Sequence, residues 1–130
     1  MDSTESPRAI VAGHGMFPHG VVSAVDQITG KGSALVAFSN AGLGREEIES
    51  GLRRLLAQHG TTVIFTDLPG GSTTLAARRI MHDIPSLTVV TGTNLTTLID
   101  FVFRDGTMTA GEAARHAADK GRASLTAIGG

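Results

Sequence analysis

The 130-residue chain contains no cysteine, no tryptophan and no tyrosine. Without cysteine it can form neither a disulfide nor a thiolate zinc site, and because His14 and His19, five apart, lack the i, i+4 register of a helical site and a third ligand, no metal is expected. Without Trp or Tyr it lacks the rings that often stack a flavin, so a cofactor is not expected either. Long apolar runs are missing too, since none approaches the ~20 residues that span a bilayer. Charge of one sign is also lacking: 11 Lys and Arg stand against 12 Asp and Glu, for a formal net charge of -1. That balance gives no electrostatic case for nucleic acid or an anionic membrane. The opening "MDSTESP" has acids and hydroxyls but no basic start or apolar centre, so residues 1–7 read as a disordered N-terminal tail rather than a signal peptide. No repeat, low-complexity tract or linker interrupts the remainder. A single domain is expected over residues 8–130.

What is present is an alternation of strand-like and helix-like stretches. The apolar run "AIVAG" (9–13) is followed by a helical pattern opened by Pro18, with Val21, Val22, Val25 and Ile28 on one face and Gly30 closing it. "SALVAF" (33–38) reads as a second strand, and Ile48, Leu52, Leu55 and Leu56 recur at helical spacing between Arg45 and Gln58. "TTVIFTD" (61–67) is β-branched and aromatic, and a helix follows over Thr73 to His82. "SLTVVT" (86–91) is a fourth strand. Asn94 caps a helix reaching Phe103, and Thr109 with Glu112 makes a capping box for a last helix ending at Gly121. "ASLTAI" (123–128) reads as a fifth strand. The pattern predicts an α/β, doubly wound, mostly parallel five-stranded sheet of order 2-1-3-4-5 with helices on both faces.

In such a sheet strands one and three are neighbours, and the ligand crevice opens outside their carboxyl ends. Strand one ends at His14 and strand three at Asp67, so these two residues should meet across the crevice. An imidazole with one free nitrogen is a competent nucleophile, and a carboxylate on the other N–H fixes the tautomer and stabilises the ring as it becomes positive. His14 and Asp67 are therefore the expected catalytic pair. Gly70, Gly71 and Ser72 bring backbone N–H groups to a helix N-terminus, where a phosphoryl group is favoured. Gly15 joins them, and the glycines flanking His14 would admit a phosphorylated partner at close range. Met16, Phe17, Leu68 and Asn94 are candidates for partner docking. Each residue also has an ordinary explanation as a turn, cap or core residue; their convergence on one sheet edge favours chemistry. A dinucleotide fingerprint fails because Pro18 stands where its third glycine belongs, and there is no Walker A lysine motif.

"IVAGHGMFPHGVVSAVDQITG", "VIFTDLPGGS" and "VVTGTNLTTLIDFVF" together resemble the IIA component of the mannose family of the bacterial phosphoenolpyruvate:sugar phosphotransferase system, with wording nearest the amino-sugar branch, including N-acetylgalactosamine systems. The resemblance runs from Arg8 to the C-terminus. It implies a cytoplasmic phosphocarrier, a phosphotransferase whose His14 takes a phosphoryl group on Nε2 from the phosphocarrier protein HPr and passes it to a separate IIB protein. That protein serves a IIC/IID membrane permease, with which the carrier would associate peripherally. Also implied is a homodimer in which the last strand, Ala123 to Ile128, is exchanged and lies antiparallel on the partner's sheet. Two stretches depart from the family pattern: Thr73, Thr74 and Leu75 replace the usual Pro, aromatic and Asn after Ser72, and Thr96 replaces a frequent Pro. Both bear on docking more than on the histidine. A regulatory module controlled by His14 phosphorylation is the alternative in a different functional class.

Overall fold

The computed structural model describes residues 7–104 and 106–130. The tail expected over residues 1–7 therefore lies, apart from Pro7, outside the described residues. Four strands form one parallel sheet in the order β2-β1-β3-β4: β1 is Ala9–Gly13, β2 Leu35–Ser39, β3 Val63–Thr66 and β4 Thr88–Val90. Among the described residues, five helices alternate with and follow them: α1 Phe17–Thr29, α2 Arg45–His59, α3 Ser72–Asp83, α4 Leu95–Phe103 and α5 Ala110–Ser124. A short 3-10 turn at Gly32–Ala34 leads into β2.

Alternation along the strands divides the core in two, because successive strand side chains point to opposite faces. Ala9, Val11, Val63 and Phe65 turn toward one cluster with Val25 of α1, Leu98 and Phe101 of α4, and Ala113, Ala114 and Ala117 of α5. Ile10, Ala12 and Ile64 turn the other way, onto Ile48, Leu52 and Leu56 of α2 and Ala76, Ala77 and Ile80 of α3. Phe65 and Phe101 meet edge to face, centroids 5.0 Å apart at 74°, the arrangement that the ring quadrupoles favour. Each fully buried side chain of this size contributes about 1.5–3 kcal/mol relative to exposure. Burial on both faces explains why the central strands read as continuous apolar runs.

The expected fifth strand does not form, and the five-stranded order 2-1-3-4-5 with an exchanged antiparallel edge is corrected to four parallel strands in the order 2-1-3-4. Two physical causes account for the difference. Helix α5 runs through Gly121 to Ser124 and takes up the start of the predicted strand. Gly121 is there for close packing: a Cβ on it would lie 2.9 Å from Asn94 Oδ1 and closer still to Thr97 Oγ1. Beyond the helix, Leu125 and Ile128 are 84% and 95% exposed, and residues 125–130 make no strand pairing among the described residues.

The candidate phosphoryl-transfer site

Strand register brings the site together. Ala12 lies opposite Thr66 in the β1–β3 pair, so the chain leaves both strands at the same edge, one residue before Gly13 and Asp67. Gly13 is required at that point because a Cβ on it would sit 2.7 Å from both Cγ and Oδ2 of Asp67. The space that this glycine opens is thus filled by Asp67 rather than by an incoming partner. Gly15, two residues on, turns the chain with φ +53 and faces open space, which leaves the approach to the ring clear.

Asp67 Oδ2 accepts two hydrogen bonds from His14, one from its backbone N–H at 2.8 Å and one from ring Nδ1 at 2.8 Å. Burial would raise the Asp67 pKa, but the His14 backbone N–H, then its ring N–H and charge, outweigh that effect and hold the carboxyl below its ordinary value. An ionised carboxylate only accepts, so Nδ1 carries a proton, and in the neutral ring the free lone pair is then on Nε2. The His14 side chain is 49% exposed while that of Asp67 is 11% exposed: the orienting group is inside and the ring outside. Oδ1 of Asp67 is buried with no partner among the described residues.

The glycine turn approaches the ring from the other side. A Cβ on Gly71 would lie 2.8 Å from His14 Cε1 and 3.7 Å from Nε2, so the start of α3 stands against the free nitrogen. Gly71 is the N-cap residue of α3 and gives no side-chain cap, which leaves first-turn N–H groups available to an anion. Ser72 opens the helix, and Gly70 is exposed in the turn before it. Thr74 holds this turn in place. Its hydroxyl donates to the Leu68 carbonyl, and it accepts from the Thr66 hydroxyl at 2.6 Å. Thr73 and Thr74 are fully buried, whereas Leu75 is 49% exposed.

Of the docking candidates, Met16 and Leu68 stand exposed beside the ring turns. Phe17 packs partly against the α1–α4–α5 core. The Asn94 side chain is committed within the chain: Oδ1 accepts from Thr97 N–H and Oγ1, while Nδ2 donates to the Gly121 carbonyl, binding α4 to α5. Two residues of the site had no signal in the sequence. Ser39 donates to the Gly15 carbonyl at 2.8 Å, and Asn40 donates from Nδ2 to Ser72 Oγ at 2.8 Å. A hollow of about 370 Å³ opens beside Ser72, between Leu43, Arg45, Ile48, Leu75 and Arg79. A larger one of about 460 Å³ lies at the opposite ends of the strands, near Arg8, Thr61 and Arg104, and shares no residue with the site.

The family model described as PTS system fructose IIA component matches residues 8–118. The chain belongs to that family. The resemblance to mannose-family IIA proteins is thereby borne out, and PTS IIA proteins in general are phosphotransferases of sugar transport. No curated protein sequence matches the chain. Solved structures do. The mannose/sorbose specific IIA subunit of the phosphotransferase system from Enterococcus faecalis is 24% identical, with a TM-score of 0.80 over 96% of each chain. The PTS IIA protein associated with the fucose utilization operon from Streptococcus pneumoniae is 20% identical, with a TM-score of 0.77 over 97% of this chain and 96% of that one. The phosphotransferase system component EIIA from Streptococcus agalactiae is 21% identical, with a TM-score of 0.74 over 88% of this chain and 93% of that one. At these identities the IIA fold is what they share with this chain. None of them favours the amino-sugar branch. Among the described residues of this IIA component, no helix is long and apolar enough to cross a membrane.

Proposed function

We propose that this IIA component is a cytoplasmic phosphocarrier in which Nε2 of His14 accepts a phosphoryl group from phosphorylated HPr and hands it to a separate IIB protein. The observation that carries the reading is the single oxygen of Asp67 that receives both the backbone N–H and the Nδ1–H of His14. It leaves Nε2 as the nucleophile and supplies a buried negative charge for the ring once phosphorylated.

In the first step the Nε2 lone pair forms a bond to phosphorus as the bond from phosphorus to the donor nitrogen breaks, and the donor nitrogen keeps that electron pair. Positive charge grows on the His14 ring, and the Nδ1–H bond to Asp67 strengthens with it. The phosphoryl oxygens have the Gly71–Ser72 helix start as their donor set. Because phosphoryl transfer asks for alignment and charge stabilisation more than for covalent chemistry, these groups suffice in kind. In the second step a nucleophile of IIB bonds to the same phosphorus as the P–Nε2 bond breaks, and Nε2 keeps that electron pair, so the ring returns to its neutral form. Met16 and Leu68, with Leu43 and Leu75 along the neighbouring hollow, give the donor and acceptor an apolar rim to dock on. The same reading includes a homodimer, with Leu125 and Ile128 as its exposed apolar side chains, and an indirect link to a IIC/IID permease.

Incubation with phosphoenolpyruvate, enzyme I and HPr should place acid-labile phosphate on His14, and a cognate IIB should remove it. His14→Ala should abolish the label. Equal labelling of that variant would refute the assignment of the nucleophile, and label that no IIB can discharge would point instead to the regulatory reading.

A further inference from the structure

We infer that Asn40 is a positioning residue for phosphoryl transfer at His14, using its side-chain amide to turn the Ser72 hydroxyl proton toward the transferred group; the inference rests on the phosphocarrier reading above. A serine hydroxyl has one proton and two acceptor lone pairs. Asn40 Nδ2 donates into one of those lone pairs at 2.8 Å, so the hydroxyl proton is directed away from Asn40. Among the described residues Ser72 Oγ donates to nothing in return. The residue before it, Gly71, stands against the imidazole, its missing Cβ 3.7 Å from Nε2, so the helix start that carries Ser72 faces that nitrogen. An oxygen of a phosphoryl group on Nε2 is the acceptor this hydroxyl lacks.

The amide is held in place for that task. The Asn40 backbone N–H donates to the Gly13 carbonyl at 3.0 Å, and its own carbonyl accepts from Leu43 N–H at 3.0 Å. The neighbouring Ser39 hydroxyl donates to the Gly15 carbonyl and accepts from Ala41 N–H. The turn after β2 therefore grips the His14 loop on both sides of the ring, at Gly13 and at Gly15, while the Asn40 side chain reaches across to α3. One turn thus fixes the distance between the nucleophile and the phosphate-facing helix start.

A mere tether and a proton-orienting amide predict different things. The two readings separate on Asn40→Ala, Asn40→Asp, Ser72→Ala and the double variant Asn40→Ala/Ser72→Ala, each labelled on His14 by phosphorylated HPr and, separately, by phosphoramidate, a small donor that needs no docking surface. Asn40→Ala should slow labelling by both donors about 10-fold, the size of one hydrogen bond. Asn40→Asp should be slower than Asn40→Ala, because a carboxylate only accepts and would draw the Ser72 proton toward itself. In the Ser72→Ala background, Asn40→Ala should cost no more than about twofold further, since the hydroxyl it orients is gone. Thermal midpoints serve as the folding control. Asn40→Asp at the wild-type rate would mean that this side chain accepts from Ser72 and would overturn the inference, as would full additivity in the double variant. Labelling by phosphoramidate but not by HPr would refute the phosphocarrier reading while the same variants still decide the role of Asn40. No label from either donor would overturn both.

Discussion

Replacing Asp67 by Asn tests the site most sharply, because both hydrogen bonds from His14 fall on one oxygen of the carboxylate. An asparagine with its carbonyl at the Oδ2 position keeps both bonds and loses only the charge. Its NH2 would then occupy the Oδ1 position, which is buried and has no partner among the described residues. The two consequences divide cleanly. The backbone bond exists before and after transfer, so weakening it lowers stability by about 1 kcal/mol without touching the rate. The ring bond is different, for Nδ1–H faces a neutral ring before transfer and a cationic one after it. Charge-assisted bonds are worth about 1.5–3 kcal/mol against about 1 for a neutral one, and loss of the buried charge opposite a cationic ring adds to that difference. A rate deficit of about 2–3 kcal/mol follows, on the order of 10²-fold. Stopped-quench labelling of His14 by phosphorylated HPr measures it, and NMR of the product should still find phosphate on Nε2. Asp67→Ala removes the tautomer lock as well, so its product should include phosphate on Nδ1. A rate for Asp67→Asn within about threefold of wild type would refute the assigned role of the carboxylate.

Three other outcomes are expected. Gly71→Ala should slow labelling of His14 at least about 10-fold with little change in unfolding midpoint, since φ at Gly71 is -74 and suits alanine while the new Cβ would fall 2.8 Å from His14 Cε1. Thr74→Val should lower stability by about 1–3 kcal/mol, read by chemical denaturation, because it leaves the Leu68 carbonyl and the Thr66 hydroxyl without the group between them. His14→Ala should raise the Asp67 pKa, followed by carboxyl-carbon NMR, because burial remains and the ring contribution goes. The sign for stability follows from the lowered carboxyl: its contribution is complete above the unfolded carboxylate value of about 3.9 and is lost as pH falls through the folded one. In His14→Ala the folded value moves toward the unfolded one, so the loss should be smaller and complete at a higher pH.

The four strands, the five helices and the meeting of His14 with Asp67 were legible because each rests on a local signal or on a general rule of α/β topology. Apolar runs gave the strands, Gly30, Asn94 and Thr109 marked helix ends, and strand order placed two residues 53 positions apart at one edge. Ser39 and Asn40 were not legible for the opposite reason. A polar pair after a strand is ordinary turn chemistry, and nothing nearby in sequence announces that one carbonyl it meets belongs to Gly15 and one hydroxyl to Ser72. His116 is a comparable case on the far side of the molecule. It reads as a surface or cap residue on α5, yet its Nδ1 lies 2.9 Å from Asp100 Oδ2, and with Arg104 it holds the α4 carboxylate below its ordinary pKa against burial.

Glycine explains why the error at the C-terminus and the gain at the site have one origin. Gly121 followed the last periodic residues of α5 and was read as a stop, which released 123–128 to be a strand. From sequence, Gly13 reads as room for a phosphorylated partner and Gly71 as a source of backbone N–H groups for phosphate. All three have the same physical role: a second side chain occupies the space a Cβ would take, from Asn94 and Thr97 at Gly121, from Asp67 at Gly13, and from the His14 ring at Gly71. A sequence records that a glycine is present but not which distant side chain needs its space, since that neighbour comes from another element. At Gly13 and Gly71 the neighbours are Asp67 and His14, the pair proposed to carry the phosphoryl transfer, so those two glycines serve the packing of that pair. At Gly121 the neighbours belong to the α4–α5 packing, and the same local evidence led to a strand that the helix had already taken up.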